Sequence, residues 1–201
     1  MSTSFEIFPT NRYIPKIEDI LNSTKNMFDD FLSSHNSTFL YTLSAVQFDN
    51  DDNIVSENPP CITDTEQYYT SININNEGFI YIFCNKLSDL DDEIWTDEPI
   101  AENAQRLKEK IIKNKEIGYS WQVKRTAGQS AIASLIYGYI AIAIAEETNG
   151  FIYSDDGAWE YRTFPILPDD FRKEYLMPEQ LEKSKNMEWY NNMINEISKK
   201  A

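Results

Sequence analysis

The chain reads as a single α+β domain over residues 1–201, with an antiparallel or mixed sheet packed against helices. Three observations predict it. Apolar runs with strand character alternate with helical periodicity, in the order β-α-β-β-β-α-β-α-β-α. The strand-like runs 66–75 and 78–86 flank "NEG" and form a hairpin. One stretch, 127–147, is apolar on nearly every side and must lie at the centre of whatever forms.

The elements follow in order. "SFEIFP" (4–9) is a short strand ended by Pro9. Residues 14–34 carry Ile17, Ile20, Leu21, Met27, Phe28 and Phe31 at approximately helical spacing. "FLYTLSAVQF" (39–48) is rich in strand formers. Residues 100–117 form a helix with Ala104, Leu107, Ile111 and Ile112 inward and Gly118 after the last turn. "YSWQVKR" (119–125) is a strand. The apolar helix covers about 129–147. Its Ser134, Gly138, Ala141 and Ala145 are small residues that let another element approach closely. "TNG" stops it and "FIY" (151–153) begins the next strand. A C-terminal helix over 178–200 starts with Pro178, where a first turn accepts proline.

Composition narrows the function. Hydrophobic residues make up 41% and aromatic residues 13%, which suits a folded domain rather than a disordered chain. Eighteen basic against 33 acidic residues leave a net charge of −15. Such a chain repels nucleic acid and anionic membrane surfaces, and attracts basic partners. The charge-free stretch Ala131–Ala145 is shorter than the roughly 20 residues of a membrane-spanning helix, so no membrane partner is expected. Cys61 and Cys84 suit free thiols in a reducing cytoplasm, and the N-terminus lacks a signal-peptide pattern.

The chemistry-bearing motifs are few. "DNDDNIVSENPP" (49–60) starts like a calcium loop, with Asp49, Asp51 and Asn53 at its first, third and fifth positions. Ile54 stands where the tight turn needs Gly, and Pro60 where a bidentate Glu belongs, so a solvated acidic loop is expected. The single His35 has no companion at ligand spacing, and no phosphate-cradling glycine loop occurs. No metal or cofactor is expected.

Two stretches remain. "SDLDDEIWTDEP" (88–99) surrounds Trp95 with acids, so Asp91, Asp92, Glu93 and Trp95 form a candidate surface for a basic partner, unless Trp95 packs into the core. "FIYSDDGAWEYRTFP" (151–165) supplies Asp155, Asp156, Trp159 and Arg162. "SDDG" has the residues of a type I turn, and the alternative is an enzyme site of Asp155, Asp156, Glu160 and Arg162 in a small hydrolase. Lys124 and Arg125 could pair with Asp155, Asp156 or Glu160.

The apolar helix ending in "AEETNG", followed by a strand and "IYSDDGAWEYRTFPILPDDF", resembles a group of uncharacterised bacterial proteins. These are associated with the immunity proteins of polymorphic and contact-dependent toxin systems. The likeness covers mainly residues 117–177 and carries no assigned site. It implies a cytoplasmic, non-enzymatic protein that binds and blocks a cognate toxin. A basic toxin domain would meet the acidic, aromatic surface.

Overall fold

A computed structural model describes residues 3–75, 77–88, 91–126, 128–154, 163–177 and 187–200. Seven strands form one sheet in the order β3-β2-β4-β5-β6-β1-β7, and every pairing is antiparallel. They are β1 (Thr3–Phe8), β2 (Leu43–Asp49), β3 (Ile54–Ser56), β4 (Tyr68–Ile74), β5 (Gly78–Lys86), β6 (Tyr119–Arg125) and β7 (Phe151–Tyr153). The helices are α1 (Ile17–Ser34), α2 (Asp91–Ile94), α3 (Ala101–Arg106), α4 (Lys108–Ile117), α5 (Ala131–Glu147), α6 (Pro168–Phe171) and α7 (Met187–Lys200). A π-helical turn, Arg172–Leu176, continues α6.

The predicted α+β class is what the chain adopts, and the sheet is the antiparallel one of the two options. The apolar helix α5 is its centre: every residue from Ala131 to Ala145 is buried. One side lies on β1, β5, β6 and β7, and α1, α6, the π-turn and α7 cover the rest. Its ends are tied down. Ser130 caps the start, its hydroxyl accepting from the Ala133 amide at 3.2 Å. At the other end the Gly150 amide donates to the Ala145 carbonyl, and Thr10, just past β1, donates to the Thr148 carbonyl. Gly150 is needed there, because a Cβ would stand 2.6 Å from the Phe8 carbonyl oxygen.

Strand parity divides the sheet. Ile7, Ile72, Ile80, Ile82, Trp121, Val123 and Ile152 are fully buried on the face carrying α5. Phe5 stacks on Tyr137 of α5 at 4.5 Å and meets Tyr175 edge-on at 5.3 Å. Tyr175 is itself fixed by its hydroxyl, which donates to the Ser134 carbonyl at 2.6 Å. That ring occupies the space left by Gly138, where a Cβ would lie 2.3 Å from a ring carbon. The small residues of α5 therefore do admit a close neighbour, here the π-turn.

Two details differ from expectation. The helix over 100–117 is broken at Leu107 (φ −101°, ψ 13°) into α3 and α4. In the second half Ile111 is buried as expected, but Ile112, also expected inward, is 47% exposed. The acidic loop after β2 is not all loop, since Asp49 closes a tight turn and Ile54–Ser56 return as edge strand β3. "SDDG" and the start of the C-terminal helix lie outside the described residues.

Two substitutions test this arrangement. Gly138→Ala forces Tyr175 out of its place and should cost about 1–3 kcal/mol, the usual penalty for overpacking a tight core. Ala141→Asp buries an unpaired carboxylate and should cost more, about 3–5 kcal/mol, unless the group is held protonated. Chemical denaturation of both variants checks this, and a wild-type midpoint in either would remove α5 from the centre.

Candidate functional site

The face of the sheet opposite α5 has a different character. A cross-strand row runs Tyr153, Glu6, Gln122, Phe83, Tyr69, Phe48 across β7, β1, β6, β5, β4 and β2. At about 4.8 Å per strand it extends about 24 Å. At its β7 end the row is covered. Trp95, just after α2, is half-buried and meets Phe8, Tyr153 and Phe151 edge-on at 5.1, 5.4 and 5.7 Å. At its β2 end the aromatic side chains are partly open to solvent.

Those aromatics form a connected cluster. Phe48 stacks on Tyr69 at 5.2 Å, Tyr69 lies 5.3 Å from Phe83 and 6.0 Å from Tyr81, and Tyr81 lies 6.4 Å from Phe83. Phe79 on β5 is 48% exposed, and Ile54, paired with Phe48 from edge strand β3, is 58% exposed. Aromatic rings keep a polar tip or a quadrupolar face toward water, so they tolerate half-exposure where isoleucine gains nothing from it. A contiguous patch of this kind makes this face the candidate contact surface.

The patch is edged with acid. In the β2–β3 turn Asp49 accepts hydrogen bonds from the Asp51 and Asn53 amides, both at 2.9 Å. Those bonds, with the Asn53 side chain foremost, hold its carboxyl below the usual range. Asp52, in the left-handed region at φ 61°, accepts from the Tyr69 hydroxyl at 2.6 Å. The charge at the rim thus orients a ring at the centre. Partial burial, and then this bond to Asp52, push the Tyr69 phenol up to about 12. Lys124, paired across from Tyr81, puts one positive charge on the other flank.

The site residues expected from sequence fall as follows. Trp95 shares the sheet face of the cluster but is packed on its own chain. Glu93, on α2, is exposed. Asp91 and Asp92 begin α2, and their side chains lie outside the described ones, as do Asp155, Asp156, Trp159, Glu160 and Arg162 in full. Arg125, a possible partner of that second group, lies over the Tyr137 ring at 5.6 Å. Sequence reasoning did not single out Phe48, Tyr69, Tyr81 and Phe83. Their signal was present as a partition within β5, with Ile80 and Ile82 on one parity and Phe79, Tyr81 and Phe83 on the other.

Enzyme-like chemistry finds little support among the described residues. His35 caps α1, with Nδ1 2.9 Å from the Phe31 carbonyl oxygen and Nε2 3.1 Å from the Tyr190 hydroxyl. Ser34 donates to the Phe31 carbonyl at 2.7 Å rather than standing as a nucleophile. A cavity of about 500 Å³ is lined by Asp64, Glu66, Cys84 and Tyr119, but burial pushes the Cys84 thiol up to about 12, far from a reactive thiolate. No group of three or more His, Cys, Asp or Glu side chains that could hold a metal ion occurs among the described residues. Among the described residues there is also no helix long and apolar enough to cross a membrane. No known protein family, no curated protein and no solved structure matches the chain.

The tyrosines set an alkaline limit on the fold. Tyr69 and Tyr119 are each raised from 10.0 to about 12, Tyr119 chiefly by burial. A raised folded pKa means the neutral phenol is favoured by folding. The stability it contributes is whole below pH 10 and is lost as pH climbs toward 12. Ultraviolet titration should show a late tyrosinate phase alongside a falling melting temperature, and Asp52→Asn should move one tyrosine out of that phase. Titration of every tyrosine together near pH 10 would contradict the Tyr69–Asp52 bond.

Proposed function

We propose that the chain is an immunity-type protein that binds a basic protein toxin and blocks it, and that the open face of the sheet is its docking surface. The observation that carries this is the half-exposed cluster Phe48, Tyr69, Tyr81 and Phe83, with Asp51 and Asp52 at its rim. Aromatic anchors inside a charged rim are how interfaces concentrate binding energy. The net charge of −15 supports a basic partner by speeding encounter. The likeness of residues 117–177 to immunity-type proteins supports the toxin as that partner. Trp95 and Glu93, on the same sheet face toward β7, extend the surface in that reading.

The reading predicts separate effects on the two rates of association. Tyr69→Ala combined with Phe83→Ala leaves the α5 face untouched. It should weaken the complex by at least about 2 kcal/mol, roughly 30-fold, mainly through faster dissociation. Asp51→Asn with Asp52→Asn should slow association and flatten its salt dependence. The measurement is stopped-flow binding, at low and high salt, to a basic toxin domain from which the chain protects cells, with that protection as the biological readout. An affinity indifferent to the aromatic pair would remove the docking surface. Turnover of a small molecule without protection would favour the enzyme reading instead.

A further inference from the structure

On the other side of the sheet, within the helical layer, lies a cavity of about 360 Å³ bounded by α1, α5 and the π-turn. Its volume falls in the range of small-ligand sites, which is about 300–1,000 Å³. Met27, Phe31, Tyr139, Leu176 and Met177 give it apolar walls. To these walls the π-turn adds Arg172, a side chain whose hydrogen bonds are incomplete. One terminal nitrogen of its guanidinium donates to Glu146 Oε1 at 2.8 Å. The same nitrogen meets the Met27 sulfur, a weak acceptor, at 3.3 Å. Nε is buried and has no partner among the described residues. A buried donor on a charged group is costly without an acceptor, so the cavity wall holds an unmet demand for one.

The surrounding charges decide which acceptor fits. Glu146 already balances the charge of Arg172. Burial, and after it the charges of Asp169 and Glu147, raise the Glu146 carboxyl even against the pull of Arg172, so the pair sits in negative surroundings. A ligand carboxylate would add one more negative charge there. An ammonium would bring donors to a wall that lacks an acceptor. The other polar groups need no ligand. His35 bonds the Phe31 carbonyl and the Tyr190 hydroxyl, Ser34 donates to the Phe31 carbonyl, and Asp30 is exposed to water. One N–H donor beside an apolar volume is what remains. We propose that this cavity binds a neutral carbonyl compound with an apolar body, of the amide, ketone or lactone class. Its carbonyl oxygen accepts from Arg172 Nε, and its body lies against Phe31, Tyr139 and Leu176. The Arg172 side chain is 32% exposed, so it has room to turn Nε onto the ligand, and the contact it gives up is the weak one to the Met27 sulfur. The site is independent of the toxin-binding reading, because it lies on the opposite side of the sheet.

The test uses the full chain and four probes in NMR titrations: phenylacetamide, phenylacetate, phenethylamine and acetamide. Phenylacetamide should bind about tenfold more tightly than the acid or the amine, as a hydrogen bond to a charged donor allows. Acetamide, which carries the carbonyl without the ring, should not compete. The Arg172 Nε–H resonance should move downfield as phenylacetamide binds and stay in place with phenethylamine. Arg172→Lys keeps the charge beside Glu146 but lacks the Nε donor, and should weaken phenylacetamide about tenfold. Glu146→Gln removes the balancing carboxylate and should let phenylacetate bind at least as well as the amide. This exchange of preference is read in a chain that keeps Arg172, so it stands even where the lysine variant fails to fold. The proposal is overturned if phenylacetate binds the wild type as well as the amide does, if acetamide competes as well as phenylacetamide, or if no probe binds. It is overturned equally if the Nε–H resonance is unmoved at saturation, if a folded Arg172→Lys binds like the wild type, or if Glu146→Gln leaves the preference unchanged.

Discussion

Everything in this molecule is arranged around a helix that has no polar side. From Ala131 to Ala145 no residue of α5 offers a face to water, so the helix must be covered through its whole circumference. One sheet can cover only part of it. The remainder takes α1, α6, the π-turn and α7, all on the same side of the sheet. That concentration of helices on one face has a consequence for the other. Among the described residues Trp95, just after α2, packs on the opposite face at the β1–β7 end. The β2, β4 and β5 part of that face keeps its aromatic rings half in solvent. The candidate docking surface is thus the complement of the core.

The same constraint explains what the sequence could and could not disclose. A helix apolar on all sides is recognisable from composition, as is the hairpin around "NEG". A strand apolar on both parities, such as "GFIYIFCNK", is ambiguous, because doubly covered strands read the same way. Which parity faces the helices depends on tertiary packing. The residue types carry a hint: Ile80 and Ile82 are fully buried, whereas Phe79, Tyr81 and Phe83 stand on the open side. The break at Leu107 was hidden because "AENAQRLKEKIIKNKEI" has uniform helix propensity and the interruption follows from packing. Strand β3 was hidden by the acids before it. Their hydrogen bonds through Asp49 build the turn that lets the chain return.

Acidity acts in this chain at two levels. Most of the net charge is diffuse, a long-range field that favours cationic partners without selecting one. Asp52 is different, because it is bonded to a ring of the aromatic cluster and ties charge to geometry. Asp49 reinforces that turn, and the bonds it accepts from Asn53 and Asp51 hold its carboxyl below the usual range. Trp95 shows the opposite case. Its acidic neighbours in the sequence suggest a surface anchor, yet Phe8, Phe151 and Tyr153 claim much of its ring area. A tryptophan held this way presents only its remaining edge, and removing it disturbs the fold as well as any contact.

The division of the sheet into a helical face and an open face also separates stability from binding. Burial of Ile72, Ile80, Ile82 and Val123 on the helical face of the sheet supports the fold, and truncating any of them leaves a cavity. Shortening Tyr69 or Phe83 removes area that was never fully withdrawn from water, so the folded state loses much less. A protein built this way can change its contact residues with little cost to its core. That freedom rests on α5 holding its cover on one side, which is why the least polar part of the sequence governs the part that meets solvent.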